Sequence, residues 1–219
     1  QSVINQSYGN FEIIVADNFS TSETAEVTKS FSDDRIKYCR ASSSLSMADN
    51  WELGLSKTTG DYIFVLGDDD ALMPDALEIA CELIDRDKYL IISWLRYFYA
   101  WDSSIVPWLR NHLGVNLQQF AEIRNSRQLL QKFYQYQVEY EQLPMMYNSF
   151  VHRDIINRVK SIHGRYFDTH CPDAFSGIAN AYFTDRYLYS YRALSITGTS
   201  GHSNGAAHLF PSLNNSNSK

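Results

Sequence analysis

With 219 residues, the chain can bury one sizeable α/β core and needs no second domain. Charged residues at 20% against hydrophobic ones at 44% exclude an intrinsically disordered chain. A net charge of -6 excludes general nucleic-acid binding, which needs a basic face, but not a nucleotide substrate, because a bound cation brings its own charge to phosphates.

Gln1 to Gln6 reads as the end of a helix and Tyr8-Gly9-Asn10 as a turn. Phe11 to Ala16 then reads as a strand closed by Asp17. Thr21 to Phe31 predicts a surface helix, with Ser20 and Glu23 spaced as a capping box, and Ile36 to Arg40 predicts the next strand. Ser46 and Asp49 form a second capping box, opening a helix with Met47, Trp51 and Leu55 on one face.

Tyr62 to Leu66 is a short apolar run bounded by Gly60 and Gly67, the pattern of a buried parallel strand. Asp68, Asp69 and Asp70 follow, then Pro74, then Leu77, Ala80, Cys81 and Ile84 at helical spacing. The acids are therefore expected between the carboxyl end of a strand and the first turn of a helix, the edge at which open α/β sheets bind ligands. Three adjacent carboxylates need a counter-cation to stay ionised cheaply, and hard oxygen ligands suit Mg²⁺ or Mn²⁺. Asp70 also fits the N-cap of the following helix.

Cys39, Cys81 and Cys171 are widely spaced, match no metal-ligand pattern and read as reduced, which suits the cytoplasm. No apolar run approaches the roughly eighteen residues of a membrane span, and no signal peptide is visible. Lys88 to Phe98 predicts one strand, and Ser126 to Gln137 a helix inside an aromatic-rich stretch. Met145 to Val151 predicts a strand and Asp154 to Lys160 a helix. Pro172 and Asp173 open a further helix, with Phe175, Ile178, Ala179 and Tyr182 on one face. Arg186 to Thr197 reads as a last strand or hairpin, Gly198 to Gly205 as a loop dense in small donors, and Ser212 to Lys219 as a disordered tail.

Gly60 to Leu77 resembles the DxD region of family-two glycosyltransferases of the GT-A fold, which begin Gly-Asp-Tyr-Ile and carry a proline four residues past the acids. The match extends through Asn5-Gln6-Ser7-Tyr8, Phe11 to Asp17, Ser20-Thr21, Asn50 and Gly54, and covers residues 1–95 well. Two positions depart from the common pattern: Gly67 stands where many relatives have a first acid, and Asp49 where many have an arginine.

The resemblance implies an α/β, GT-A-like domain with a mostly parallel sheet and helices on both faces. Residues 1–95 would form its nucleotide-sugar half and 96–211 its acceptor-side half. It implies an enzyme transferring a sugar from a nucleotide diphosphate donor, probably a UDP-sugar, to a carbohydrate or lipid-linked hydroxyl, by metal-assisted inverting displacement. The setting it implies is polysaccharide biosynthesis in the cytoplasm, extending to the inner membrane face. By the same resemblance Asp17, Asn18, Asn50 and Asp68 line the nucleotide, Asp69, Asp70 and His202 hold Mn²⁺ or Mg²⁺, and Asp173 is the catalytic base. The rivals are a nucleotidyltransferase and a non-catalytic nucleotide- or sugar-binding remnant. The resemblance puts the family's first strand before Gln1, so an open sheet edge is expected, filled by upstream residues of the natural protein, by another segment of this chain or by a second copy, or left at the cost of stability and nucleotide binding.

Overall fold

Short apolar runs alternate with amphipathic helices along the first half of the sequence, and the backbone follows that alternation. The computed structural model describes residues 1–104 and 106–200. Its first half contains β1 (Ile13–Asp17), α1 (Ser22–Ser30), β2 (Ile36–Arg40), α2 (Met47–Leu55), β3 (Tyr62–Ile63), β4 (Ala71–Leu72) and α3 (Ala76–Asp87). The second half contains β5 (Ile91–Trp94), β6 (Tyr97–Ala100), β7 (Leu113–Gly114), β8 (Ala121–Asn125), α4 (Ser126–Tyr134), β9 (Ser149–His152), α5 (Arg153–His163), α6 (Pro172–Tyr182), β10 (Arg186–Ser190) and β11 (Ser195–Thr199).

Local signals place these boundaries well where a side chain closes them. Ser46 caps α2 as its sequence predicts, accepting from Asp49 N at 3.1 Å and donating to Asp49 Oδ2 at 2.6 Å. The box at Ser20 and Glu23 does not form. Asp17 Oδ1 takes the Ser20 N–H at 2.8 Å, the Ser20 hydroxyl turns to Thr24 Oγ1, and α1 starts after Thr21 without a side-chain cap.

The sheets are mixed, where a mostly parallel one is expected. A five-stranded sheet runs β3-β9-β5-β10-β8, a four-stranded sheet β4-β11-β6-β7, and β1 pairs β2 alone. Only β1 with β2, β5 with β10 and β6 with β11 are parallel. β9 runs antiparallel to both β3 and β5. An apolar run reports that a strand is buried and says nothing of its direction.

The single strand expected over Lys88 to Phe98 is two, broken at Leu95 and Arg96, and the expected terminal hairpin is two strands of different sheets. β10 lies beside β5 and β11 beside β6, so the two segments cross from one sheet to the other together. Leu95 N donates to Ser190 O at 3.0 Å at the bend. Beneath it Phe64, Trp94 and Phe150 pack at centroid distances of 5.0 to 5.3 Å, and the buried Trp94 indole donates to Ser195 Oγ at 2.8 Å.

β1 and β3 begin side by side, because Glu12 Oε1 accepts from Thr59 N and Gly60 N. Yet β1 bonds only β2, and β3 only β9, so no strand fills the space between them among the described residues. Ile13 to Ala16 are accordingly all partly exposed. Among the described residues no helix is long and apolar enough to cross a membrane.

Candidate active site

Three parts of the chain meet at Met146 and Tyr147. The Met146 carbonyl accepts from Val65 N at 3.0 Å, which fixes the strand that leads into the acids. Its N–H donates to Ser176 Oγ at 3.2 Å, and that hydroxyl donates in turn to the Asp173 carbonyl at 2.7 Å. Asp173, in the first turn of α6 behind Pro172, is thereby tied to the segment that also anchors the acids. Burial, together with the charges of Asp70, Asp173 and Asp69, pushes the Tyr147 phenol well above its ordinary value, so the hydroxyl stays a neutral donor. Trp51 holds its ring edge-on at 4.9 Å.

The acids lie in a turn between β3 and β4, and α3 starts only afterwards, with Asp75 at its N-cap position. Asp70 is therefore not the helix cap. Its Oδ1 accepts from Gly198 N at 2.8 Å and its Oδ2 lies 3.4 Å from Gly67 N, so it clasps the turn to β11. The clasp requires glycine at 198: a Cβ there would stand 2.0 Å from the Asp69 carbonyl oxygen and 2.8 Å from Trp101 Nε1. Gly198 consequently belongs to a strand, and its N–H is taken by Asp70 and not offered to a diphosphate.

Gly67 leaves a second space. A Cβ added to it would lie 3.0 Å from Asp70 Oδ2 and 3.3 Å from Asp69 Oδ1, so two carboxylate oxygens converge over a bare α-carbon. No cage of three or more acid, histidine or cysteine side chains exists among the described residues. Mg²⁺ and its like are commonly held by one or two carboxylates together with substrate phosphates, and this pair suits that mode. Asp68 is exposed at the tip of the turn. His202 lies outside the described residues.

The residues expected at the nucleotide are engaged inside the fold. Asp17 has a side chain only 1% exposed; its Oδ1 takes Ser20 N, its Oδ2 takes the Tyr38 hydroxyl, and Arg40 Nε stands at 3.7 Å. Burial pushes this carboxyl up, but those hydrogen bonds and the Arg40 charge outweigh it and hold it below the usual range. Asn18 clamps Leu45 from both sides, donating to its carbonyl at 2.9 Å and accepting from its N–H at 2.7 Å. Asn50 reaches the Ala16 carbonyl at 3.3 Å and leaves its Oδ1 buried without a partner among the described residues. Asp49, beyond capping α2, pairs with Arg165 at 2.8 Å.

Sequence reasoning does not single out Tyr147, Arg96 or Trp101, and it reads Gly198 as the start of a loop where the structure has it in β11. The one legible signal is Arg96, a charge inside an apolar strand run. A separate open cavity of about 320 Å³ gathers Lys88, Arg158 and Arg186 where α3 and α6 end. Cations there answer the carbonyl ends of two helices, so the cavity needs no ligand to explain it.

The family model described as Glycosyl transferase family 2 matches residues 1–157. EpsE of Bacillus subtilis, provisionally named a glycosyltransferase, is 32% identical over 92 residues, 41% of this chain and 33% of its own length. Glycosyltransferase GlyA of Streptococcus pneumoniae is 38% identical over 80 residues, 35% of this chain and 11% of its own length. The chain thus spans a third or less of these curated relatives. Among solved structures, S. aureus TarS 1-349 in complex with UDP-GlcNAc matches with a TM-score of 0.68 at 15% identity, covering 92% of this chain and 54% of that one. At that identity the likeness concerns the fold, which is the α/β, GT-A-like one expected, with mixed sheets.

Proposed function

This chain belongs to glycosyl transferase family 2, and on that premise we propose that it moves a sugar from a nucleotide diphosphate donor of the UDP-sugar class to a hydroxyl acceptor, with inversion. The observation that carries this reading is the joint anchoring of the acid turn and Asp173 on Met146. A base and an anchor for the leaving group held on one rigid segment are what a single displacement requires. The complex of TarS with UDP-GlcNAc supports a UDP-linked donor.

In this mechanism Asp173 takes the proton of the acceptor hydroxyl as its oxygen bonds the anomeric carbon. The bond from that carbon to the diphosphate breaks on the opposite face, and the nucleotide diphosphate departs. Asp69 and Asp70 would hold Mg²⁺ or Mn²⁺, whose contribution is to neutralise the departing diphosphate. Tyr147 offers a neutral hydroxyl donor beside these acids, and Asp17 and Asn18 shape the loop next to the base.

The test is turnover of a panel of UDP-sugars by the full-length protein, alongside UDP binding. Asp173→Asn is expected to lower turnover by about 10²- to 10⁴-fold, the span of general base catalysis, while UDP affinity stays within about twofold. Wild-type turnover in that variant would refute the assignment of the base. UDP affinity is expected to need a divalent ion and to lose most of that dependence in Asp69→Ala; equal affinity in EDTA and in Mn²⁺ would remove the metal from the scheme.

A further inference from the structure

Arg96 sits in the bend between β5 and β6. The antiparallel register of β5 on β9 pairs Ser93 with Ser149, and Trp94 N continues it by donating to Asn148 O at 2.9 Å. The ladder ends there: Arg96 lies two residues past it in the bend, and Tyr147 immediately precedes Asn148, in the turn that Asn148 N closes on the Met145 carbonyl at 3.1 Å, next to the Met146 to which the acid turn and Asp173 are both tied. The positive charge of Arg96 acts on the phenols of Tyr147 and Tyr140, where it opposes Asp173.

Arg96 is partly buried, and among the described residues its guanidinium has no hydrogen bond or ion pair. Other arginines near the site are engaged: Arg165 with Asp49 and Arg40 with Asp17 and the Ser20 carbonyl. A guanidinium carries five donors in a fixed fork, and taking it partly out of water without a partner is costly. The same fork matches a phosphate group in bidentate fashion. Asp69, Asp70 and Asp173, whose charges act with that of Arg96 on the Tyr147 phenol, would repel a diphosphate unless cations sit among them, and Arg96 is a cation of the chain itself.

We propose that Arg96 binds the diphosphate of the nucleotide-sugar donor and stabilises it as it leaves. This rests on the donor reading above and adds a residue that the motif does not contain. An anionic acceptor would present the same phosphate chemistry, so the experiment separates the two sources. UDP and uridine are titrated into the full-length wild type, Arg96→Met and Arg96→Lys in the presence of Mn²⁺, with thermal unfolding midpoints recorded for each. Arg96→Met is expected to weaken UDP by about 10- to 150-fold, the loss of a charge-assisted hydrogen bond, while uridine stays within about twofold and Arg96→Lys recovers part of the loss.

Equal losses for UDP and uridine would assign Arg96 to the fold and overturn the proposal. Unchanged UDP affinity with reduced transfer only to phosphate-bearing acceptors would assign the anion to the acceptor and overturn it as well. Failure of the wild type to bind UDP would refute the donor reading itself. Inorganic pyrophosphate then replaces UDP, and equal affinity for wild type and Arg96→Met would overturn the role of Arg96 independently.

Discussion

Replacing Gly198 by alanine strikes the contact that joins the acid turn to β11. The added carbon would lie 2.0 Å from the Asp69 carbonyl oxygen and 2.8 Å from the Trp101 indole nitrogen. The first neighbour is backbone, so relief requires the strand or the turn to move. Overpacking of this kind costs about 1–3 kcal/mol. Movement also stretches the 2.8 Å bond from Gly198 N to Asp70 Oδ1, a hydrogen bond to a charged group worth about 1.5–3 kcal/mol. The combined loss, about 2.5–6 kcal/mol, is a large share of a domain's net stability and corresponds to a fall of roughly 5–24 °C in Tm for a chain of this size. Urea unfolding and thermal melts measure it directly, with Gly9→Ala as control, since a Cβ there meets nothing within 4 Å. Asp70→Asn should keep the fold, because its amide oxygen can still accept from Gly198, yet weaken divalent-ion binding. An unfolding midpoint for Gly198→Ala equal to that of Gly9→Ala would refute the clasp.

Burial raises the Glu12 carboxyl, but Lys37 and the N–H groups of Thr59 and Gly60 lower it more, to about 2. A depressed folded value means that the contribution is complete above the ordinary value near 4.5 and fades as pH falls toward 2; Glu12→Gln should flatten stability against pH in that window, and an unchanged slope would exclude Glu12 as its source. Asp17→Ala is expected to weaken UDP and CDP alike, because both carboxylate oxygens serve the fold; a loss confined to UDP in calorimetry would show that the carboxylate turns out to read uracil. The edges of β1 and β3 that stay open among the described residues predict that the 219-residue chain either self-associates or unfolds at low urea, whereas a monomer of high stability in sedimentation and unfolding experiments would refute this.

Much of the local structure is legible without coordinates. β2 spans the predicted Ile36–Arg40, Ser46 caps α2, and Asp173 falls in a first turn behind Pro172. Each depends on side chains within a few residues of one another, so periodicity and capping rules suffice. The acid turn is legible for the same reason, since an apolar run and three aspartates adjoin.

What tertiary structure alone decides depends on partners far apart in sequence. Asp70 is a clasp and not a cap because β11, more than a hundred residues later, pairs with β4 and inserts a strand before α3. Asp173 comes to the Met146–Tyr147 turn because Ser176 bonds both Met146 and Asp173, and Arg96 follows the end of β5, where Trp94 N bonds the Asn148 carbonyl. Strand direction is equally hidden, since β9 is as apolar running antiparallel as it would be running parallel. A sequence shows which residues avoid water; which of them then meet is settled by contacts between distant segments, and here those contacts put the Tyr147 phenol under the charges of Asp69, Asp70, Asp173 and Arg96.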